Sequence, residues 1–357
     1  MKCRGSRAIH NEAAYSADCE NATKSEFLPS RAPVAQRGRN PPAGSHLMAA
    51  IVDVASVAEN RRNASSEPAA RTIRLWRDRV NNRLEELIRA DEDACPTLVE
   101  AMRYSLLTPG KRVRSLLALL TALDFGRDPR PLIDFGCALE LVHCASLMLD
   151  DLPCMDNARM RRGQPAAHIQ FGEATTTLAA IALLNQSFGL IASSATLAEP
   201  VRCRLIARVS QAVGTAGLVS GQSRDLVERK GGLDSDGMAR INQQKTGVLF
   251  ELAVVGGGMI LDLPDERLEA LNLYAGHVGQ AFQSADDLLD CREHSKHSGK
   301  DCGADVDKAG SVHQLGETAL RERLQGELAR ADRRLAQLGL DRSLLRAFVL
   351  SLFQRLV

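Results

Sequence analysis

Residues 133–152 read IDFGCALELVHCASLMLDDL, a run in which apolar side chains surround the chain almost completely. A half-buried strand would alternate with period two, and a surface helix would carry a single apolar stripe. What remains is a helix enclosed by other helices. Its polar exceptions include Glu140, His143 and Asp150. At about 100° per residue, His143 and Asp150 fall two turns apart on one face. Residues 276–290, GHVGQAFQSADDLLD, are built in the same way, with Gln283, Asp286, Asp287 and Asp290 sharing a face. Buried helices do not carry such stripes without partners, so the two runs predict a polar cavity inside a bundle.

Outward from these runs the helical period continues. Ile73, Trp76, Val80, Leu84, Leu87 and Ile88 step by three and four residues. Further helices are expected over 98–107, 114–123, 132–152, 175–197, 201–228, 241–261, 266–290, 312–337 and 342–357. Joints fall at Pro109-Gly110, Asp128-Pro129, Gly231-Gly232 and Pro264. No strand alternation competes, so the fold class is all-α: a single large antiparallel helical bundle with a central cavity, spanning 71–357. Residues 1–70 lack periodicity and are expected to be a disordered N-terminal extension. Gly44-Ser45-His46-Leu47-Met48 resembles an expression scar, with Met48 a candidate start. Four acids, Glu12, Asp18, Glu20 and Glu26, argue against an organelle transit peptide.

Composition narrows the class. Of 357 residues, 45% are hydrophobic and 25% charged, as in ordinary globular chains. Lys plus Arg total 45 against 44 Asp plus Glu, which gives no bulk electrostatic case for nucleic acid or an acidic membrane. Nine cysteines at irregular spacing suggest no disulfide framework, and a reducing cytoplasm is expected. No apolar run reads as long as the roughly 20 residues a bilayer crossing needs, so no transmembrane segment is expected.

Chemistry concentrates in two aspartate clusters. In Asp286-Asp287-Leu-Leu-Asp290, the first and last carboxylates lie one turn apart and project together. In Asp150-Asp151-Leu-Pro-Cys-Met-Asp156, Pro153 should end the helix near Leu152, and the following loop can bring Asp156 back to the pair. Like carboxylates in an apolar bundle are costly unless cations lie between them. Magnesium suits such a set, because it takes oxygen ligands and commonly bridges carboxylates to phosphates. Two facing clusters therefore imply a diphosphate held between metal ions. The basic complement is present. Gly110-Lys111-Arg112-Val113-Arg114 sits at a loop-to-helix junction, where free amides favour an anion, and Arg161-Arg162 follows the first cluster closely.

These motifs, in this order, resemble the trans-isoprenyl diphosphate synthases, with the similarity running from about Pro96 to Gly316. The stretch from Glu140 to Asn157 is most similar to geranylgeranyl diphosphate synthases of bacterial carotenoid and diterpenoid pathways. The resemblance implies an isoprenoid-synthase bundle that joins isopentenyl diphosphate to an allylic diphosphate (dimethylallyl, geranyl or farnesyl). It implies Asp150, Asp156, Asp286 and Asp290 as magnesium ligands, supported by Asp151 and Asp287, with three ions per site. It assigns Lys111, Arg114, His143 and Arg162 to isopentenyl diphosphate. Arg161, Lys245, Thr246, Gln283, Lys300 and Lys308 go to the allylic diphosphate, and Gln222 and Asp225 match a further pair. It also implies a homodimer.

Chain length follows from helix geometry. The growing chain should pass Ala145 and Ser146, one turn below Asp150, and two small residues leave room for a C20 product where an aromatic ring would stop at C15. The family pattern is broken at Pro109, Ser115, Asn157-Ala158-Arg159 and Ala309-Gly310, while the three essential aspartates of the first motif remain. A farnesyl diphosphate synthase is the nearest alternative. A terpene cyclase would usually replace the second Asp-Asp-x-x-Asp by a mixed motif, and a non-catalytic regulatory subunit would not need both motifs intact. Cys291, His294, His297 and Cys302 fit no common zinc spacing, and Gly256-Gly257-Gly258 is no dinucleotide loop, because no strand precedes it.

Overall fold

A computed structural model describes residues 66–89, 92–228, 235–298, 316–354 and 356, with the side chains of 66, 228, 235–236 and 290–298 outside the description. In chain order the helices are α1 (Ser66–Leu87), α2 (Pro96–Leu106), α3 (Val113–Asp124), α4 (Ile133–Asp150), α5 (Ala167–Phe171), α6 (Glu173–Ala192) and α7 (Glu199–Val213). They continue as α8 (Leu218–Glu228), α9 (Ser235–Asn242), α10 (Val248–Ile260), α11 (Asp265–Ser298), α12 (Glu317–Gln337) and α13 (Leu344–Phe353). Strands β1 (Met160–Arg161) and β2 (Gln164–Pro165) form a small antiparallel hairpin between α4 and α5.

The all-α expectation holds, and its physical basis is visible in the centre. Helices α3, α4 and α10 are apolar nearly all round and pack on one another, with α11 against α10, α6 and α1 against α4, and α12 outside α11. Leu116, Leu119, Leu120, Phe135, Leu139, Phe250, Val254, Tyr274 and Val278 are fully buried there. Each such side chain contributes roughly 1.5–3 kcal/mol by leaving water. Gly256, Gly257 and Gly258 lie inside α10, consistent with their exclusion as a nucleotide loop. Helix ends follow local chemistry: Pro96 occupies the first turn of α2, and the Ser343 hydroxyl caps α13 by accepting from the Arg346 amide at 3.1 Å.

Four details depart from the sequence reading. Helix α1 starts at Ser66, inside the stretch assigned to the extension. The helix expected over 201–228 is two helices, parted at Gly214 and Gly217. The helix expected over 241–261 contains a π turn at Gln243–Gly247, between α9 and α10. The hairpin was not expected at all; its loop is Arg162-Gly163, both with positive φ (50° and 79°), as a two-residue I′ turn demands. In addition, the stretches Arg130–Asp150 and Glu173–Ala192 are long and apolar enough to cross a bilayer by length and composition. The first is 67% buried inside the bundle, as a core helix is.

Candidate active site

The first aspartate cluster forms where α4 runs out. The helix ends at Asp150, two residues before the expected Leu152, and the chain turns back on itself. The Asp156 amide donates to the Asp150 carbonyl at 2.9 Å and the Ala158 amide to the Asp151 carbonyl at 3.2 Å. The loop therefore returns Asp156 to the pair as its sequence suggested. Burial pushes the Asp150 carboxyl up to about 6, with Lys245 opposing the shift and Asp156 adding to it. Asp151 is buried and engaged by Arg161, whose Nε lies 3.1 and 3.0 Å from its two oxygens and whose Nη2 approaches the first of them.

The second cluster lies on α11. Gln283 Nε2 donates to Asp287 Oδ1 at 3.0 Å, which fixes that carboxylate from one turn away. Asp286 is close enough to Arg114 to favour its charged form, so the second cluster borders the basic groups. Lys245, in the π turn, donates to Asp225 Oδ2 at 2.7 Å and is felt by Asp150. The π turn thus places a cation beside the first cluster. Gln222, one turn before Asp225 on α8, is buried with both amide atoms making no hydrogen bond within the protein. The Asp290 side chain, Lys300, Lys308, Cys291, His294, His297 and Cys302 lie outside the described residues or side chains.

The basic half is assembled from three places in the chain. Arg114 comes from α3, His143 from α4, and Arg162 from the hairpin turn; Lys111 precedes α3. Arg162 lies across Gly110, where a Cβ would come within 3.0 Å of its guanidinium. Burial lowers Arg114 to about 10, Glu140 resisting and Arg162 reinforcing the shift. The Arg114 guanidinium also sits 5.2 Å from the centre of the Phe250 ring. Burial first, and then Arg114, Arg162, Arg161 and Arg112, hold His143 well below its ordinary range, so the ring is neutral at pH 7. Arg114 Nε, His143 Nε2 and Arg162 Nε are all buried without a hydrogen bond inside the protein. Such atoms cost about 1–3 kcal/mol each when left so, and three together suit an anionic ligand. A pocket is lined here by His143, Arg161, Arg162, Gln164, Leu147 and Met148.

Two groups at this site escaped the sequence reading. Arg112 was read as part of the anion-binding run, but it turns inward: its Nε donates to Asn81 at 2.8 Å and its Nη2 to the Leu106 carbonyl at 2.9 Å. Glu140 was noted only as a polar exception. Its Oε2 is 3.7 Å from Arg112 Nη1, and its Oε1 accepts from the Ser115 amide at 3.3 Å. The first turn of α3, expected to offer amides to a ligand, is thus occupied at Ser115 by the protein's own carboxylate.

Asp150, Asp156, Asp286 and Asp287 offer carboxylate oxygens, the donor type that magnesium takes, and the Asp156 and Asp151 charges add to the rise that burial imposes on Asp150. Among the described residues these groups do not close into a set able to hold a metal ion by themselves.

Comparison with known proteins agrees with the geometry. The polyprenyl synthetase family model matches residues 95–315. The chain is 40% identical to the geranylgeranyl diphosphate synthase of Pseudescherichia vulneris, over 74% of this chain and 86% of that one. It is 36% identical to the farnesyl diphosphate synthase of Bacillus subtilis (strain 168), over 71% and 87%. Among solved structures, an FPP/GFPP synthase from Zymomonas mobilis in its apo form superposes with a TM-score of 0.71 at 30% identity, covering 79% of this chain and 97% of that one. With the family model matching more than half of the chain and the helical bundle shared with these synthases, the chain belongs to the polyprenyl synthetase family, and it is a prenyl-transferring enzyme.

Proposed function

We propose that this enzyme makes geranylgeranyl diphosphate by head-to-tail condensation of isopentenyl diphosphate with dimethylallyl, geranyl or farnesyl diphosphate. The observation that carries the reading is the trio of buried, unbonded nitrogens on Arg114, His143 and Arg162, with the Asp286 carboxylate close enough to Arg114 to favour its charged form. The basic trio suits a bare diphosphate; the carboxylates suit a metal-bound one.

Asp150, Asp156, Asp286 and Asp290 would hold magnesium, with Asp151 and Asp287 in support and three ions per site. When bound, magnesium supplies positive charge to the departing allylic diphosphate. Lys111, Arg114, His143 and Arg162 hold isopentenyl diphosphate, the neutral His143 as a hydrogen-bonding group. Arg161, Lys245 and Gln283 are assigned to the allylic diphosphate, as are Lys300 and Lys308, which lie outside the described residues. The allylic C–O bond breaks with its electron pair leaving on diphosphate. The double bond of isopentenyl diphosphate forms the new C–C bond, and a proton from its adjacent carbon passes to the released diphosphate. Lys245 and Thr246 offer the dipoles of the π turn to the transient cation, while the dry bundle excludes water that would quench it.

Ala145 is buried and Ser146 half-buried below Asp150, and the Ser146 hydroxyl is satisfied by the His143 carbonyl at 2.9 Å. The small size of both side chains supports the C20 reading, and the likeness to a farnesyl diphosphate synthase makes C15 the second reading. The purified enzyme should convert radiolabelled isopentenyl diphosphate and each allylic starter to a C20 alcohol after dephosphorylation, only with magnesium. Ser146→Phe should shorten the product to C15. A wild-type C15 product would overturn the chain-length assignment, and no elongation from any starter would overturn the reaction.

The assembly is a homodimer on this reading. Helix α6 is apolar yet exposes Leu178 (57%) and Ile181 (55%), and Ile169 (52%) continues the patch from α5. A reducing cytoplasm is the proposed compartment, consistent with free thiols at Cys95, Cys137, Cys144, Cys154 and Cys203.

A further inference from the structure

Glu140 sits where its charge opposes the enzyme's task. It is 3% exposed, in the basic half of the cavity, and its carboxylate reaches Arg112 (5% exposed) and the Ser115 amide at once. Helix α3 has no side-chain cap from its own N-cap residue, Arg112, whose backbone is left-handed at φ 50°. The carboxylate supplied by α4 takes that role across the interface, since a negative group at a helix start is favoured by the amides and the dipole. Arg112 is anchored independently by Asn81, Leu106 and Thr108, so it does not depend on Glu140 to stay in place. The influence of Glu140 extends to Arg114 and Arg162, whose charged forms it favours.

We infer that Glu140 is a built-in counter-anion for the isopentenyl diphosphate pocket, a positioning residue that keeps the basic cluster stable when empty and limits how tightly it holds a diphosphate. This rests on the reading of Lys111, Arg114, His143 and Arg162 as that pocket. A site of clustered cations with no internal anion would be costly when empty and slow to let an anion go. A fixed carboxylate offsets both. With an effective dielectric of about 20, one unit charge within about 10 Å changes anion affinity by roughly tenfold.

Glu140→Gln preserves shape and the acceptor for the Ser115 amide while removing the charge. Wild type, Glu140→Gln, Arg162→Gln and the double variant Arg112→Gln/Glu140→Gln would be melted with and without isopentenyl diphosphate in EDTA. Without metal, the aspartate clusters take no diphosphate. Glu140→Gln is expected to melt lower than wild type when empty and to gain a larger upward shift from isopentenyl diphosphate. Its KM for isopentenyl diphosphate should fall about tenfold, with the allylic KM unchanged. Removing one charge of each sign in the double variant should return both readouts towards wild type, and it provides the test if the single variant does not fold. A merely structural Glu140 would lower the melting temperature equally with and without ligand and leave both KM values alone; that result, or a raised isopentenyl diphosphate KM, overturns the inference. If wild type shows no shift, or Arg162→Gln shifts as wild type does, the pocket assignment itself fails and the inference with it.

Discussion

His143 is a neutral ring among arginines, and the same crowding that keeps it neutral makes it a pH liability. Its folded pKa lies well below 6.5, so below that pH the unfolded chain binds a proton that the folded chain refuses. Stability contributed at neutral pH is therefore lost as pH falls, by up to about 1.4 kcal/mol per pH unit. In denaturant titrations between pH 7 and 5, His143→Gln should flatten the slope by the equivalent of one proton; an unchanged slope would mean that His143 titrates normally. At this scale the aspartates were legible, because several acids grouped on one face of an apolar helix repel one another unless a cation joins them. Arg112 and Glu140 were not. A charged letter beside Lys111 and Arg114 looks like another ligand for an anion, and only the direction of its side chain, set by Asn81 and the Leu106 carbonyl, assigns it to the interior.

Among the elements, the π turn at Gln243–Gly247 carries Lys245 and Thr246, and two glycines hold it from either side. A Cβ at Gly279 on α11 would lie 2.9 Å from Gly247 Cα, and one at Gly221 on α8 would lie 2.5 Å from the Lys245 amide nitrogen. Both neighbours are backbone, which cannot swing aside. Gly279→Ala must displace the turn, and a displacement near 1 Å is expected to cost about 10²-fold in kcat, with the KM for isopentenyl diphosphate within about twofold. Gly189→Ala in α6 meets nothing within 4 Å and serves as the control. It should keep full activity and melt slightly higher, since Ala stabilises a helix by roughly 0.5–1 kcal/mol over Gly. Steady-state kinetics and thermal melts on both variants decide it; full activity in Gly279→Ala would free the π turn from its assigned role. The sequence reading ran a continuous helix through this region because a single inserted residue leaves the apolar period almost unbroken. The hairpin escaped for a related reason: two-residue strands are too short to show alternation, and Arg-Gly is a weaker turn signal than Asn-Gly.

At the scale of the molecule, α6 is a described helix whose apolar residues are not all covered. One face packs on α4 while Leu178 and Ile181 face outward, and an exposed apolar face of this kind marks an interaction surface. Leu178→Glu combined with Ile181→Glu should halve the mass measured by light scattering and leave the helical content by circular dichroism unchanged. A mass equal to that of wild type would place any dimer contact elsewhere.

The sequence by itself determined the all-helical class, the enclosure of α4 and α11, and the two aspartate clusters, because periodicity and composition are local properties that survive in a string. It also carried the family's motifs in order. Only the tertiary structure decided which charges meet: that Arg161 grips Asp151, that Lys245 joins Asp225 beside Asp150, and that Glu140 fills the start of α3 among three arginines. Electrostatic partners 10 to 25 residues apart, as these are, are chosen by packing, since in a low-dielectric interior a charge settles beside whichever opposite group the helices bring within reach.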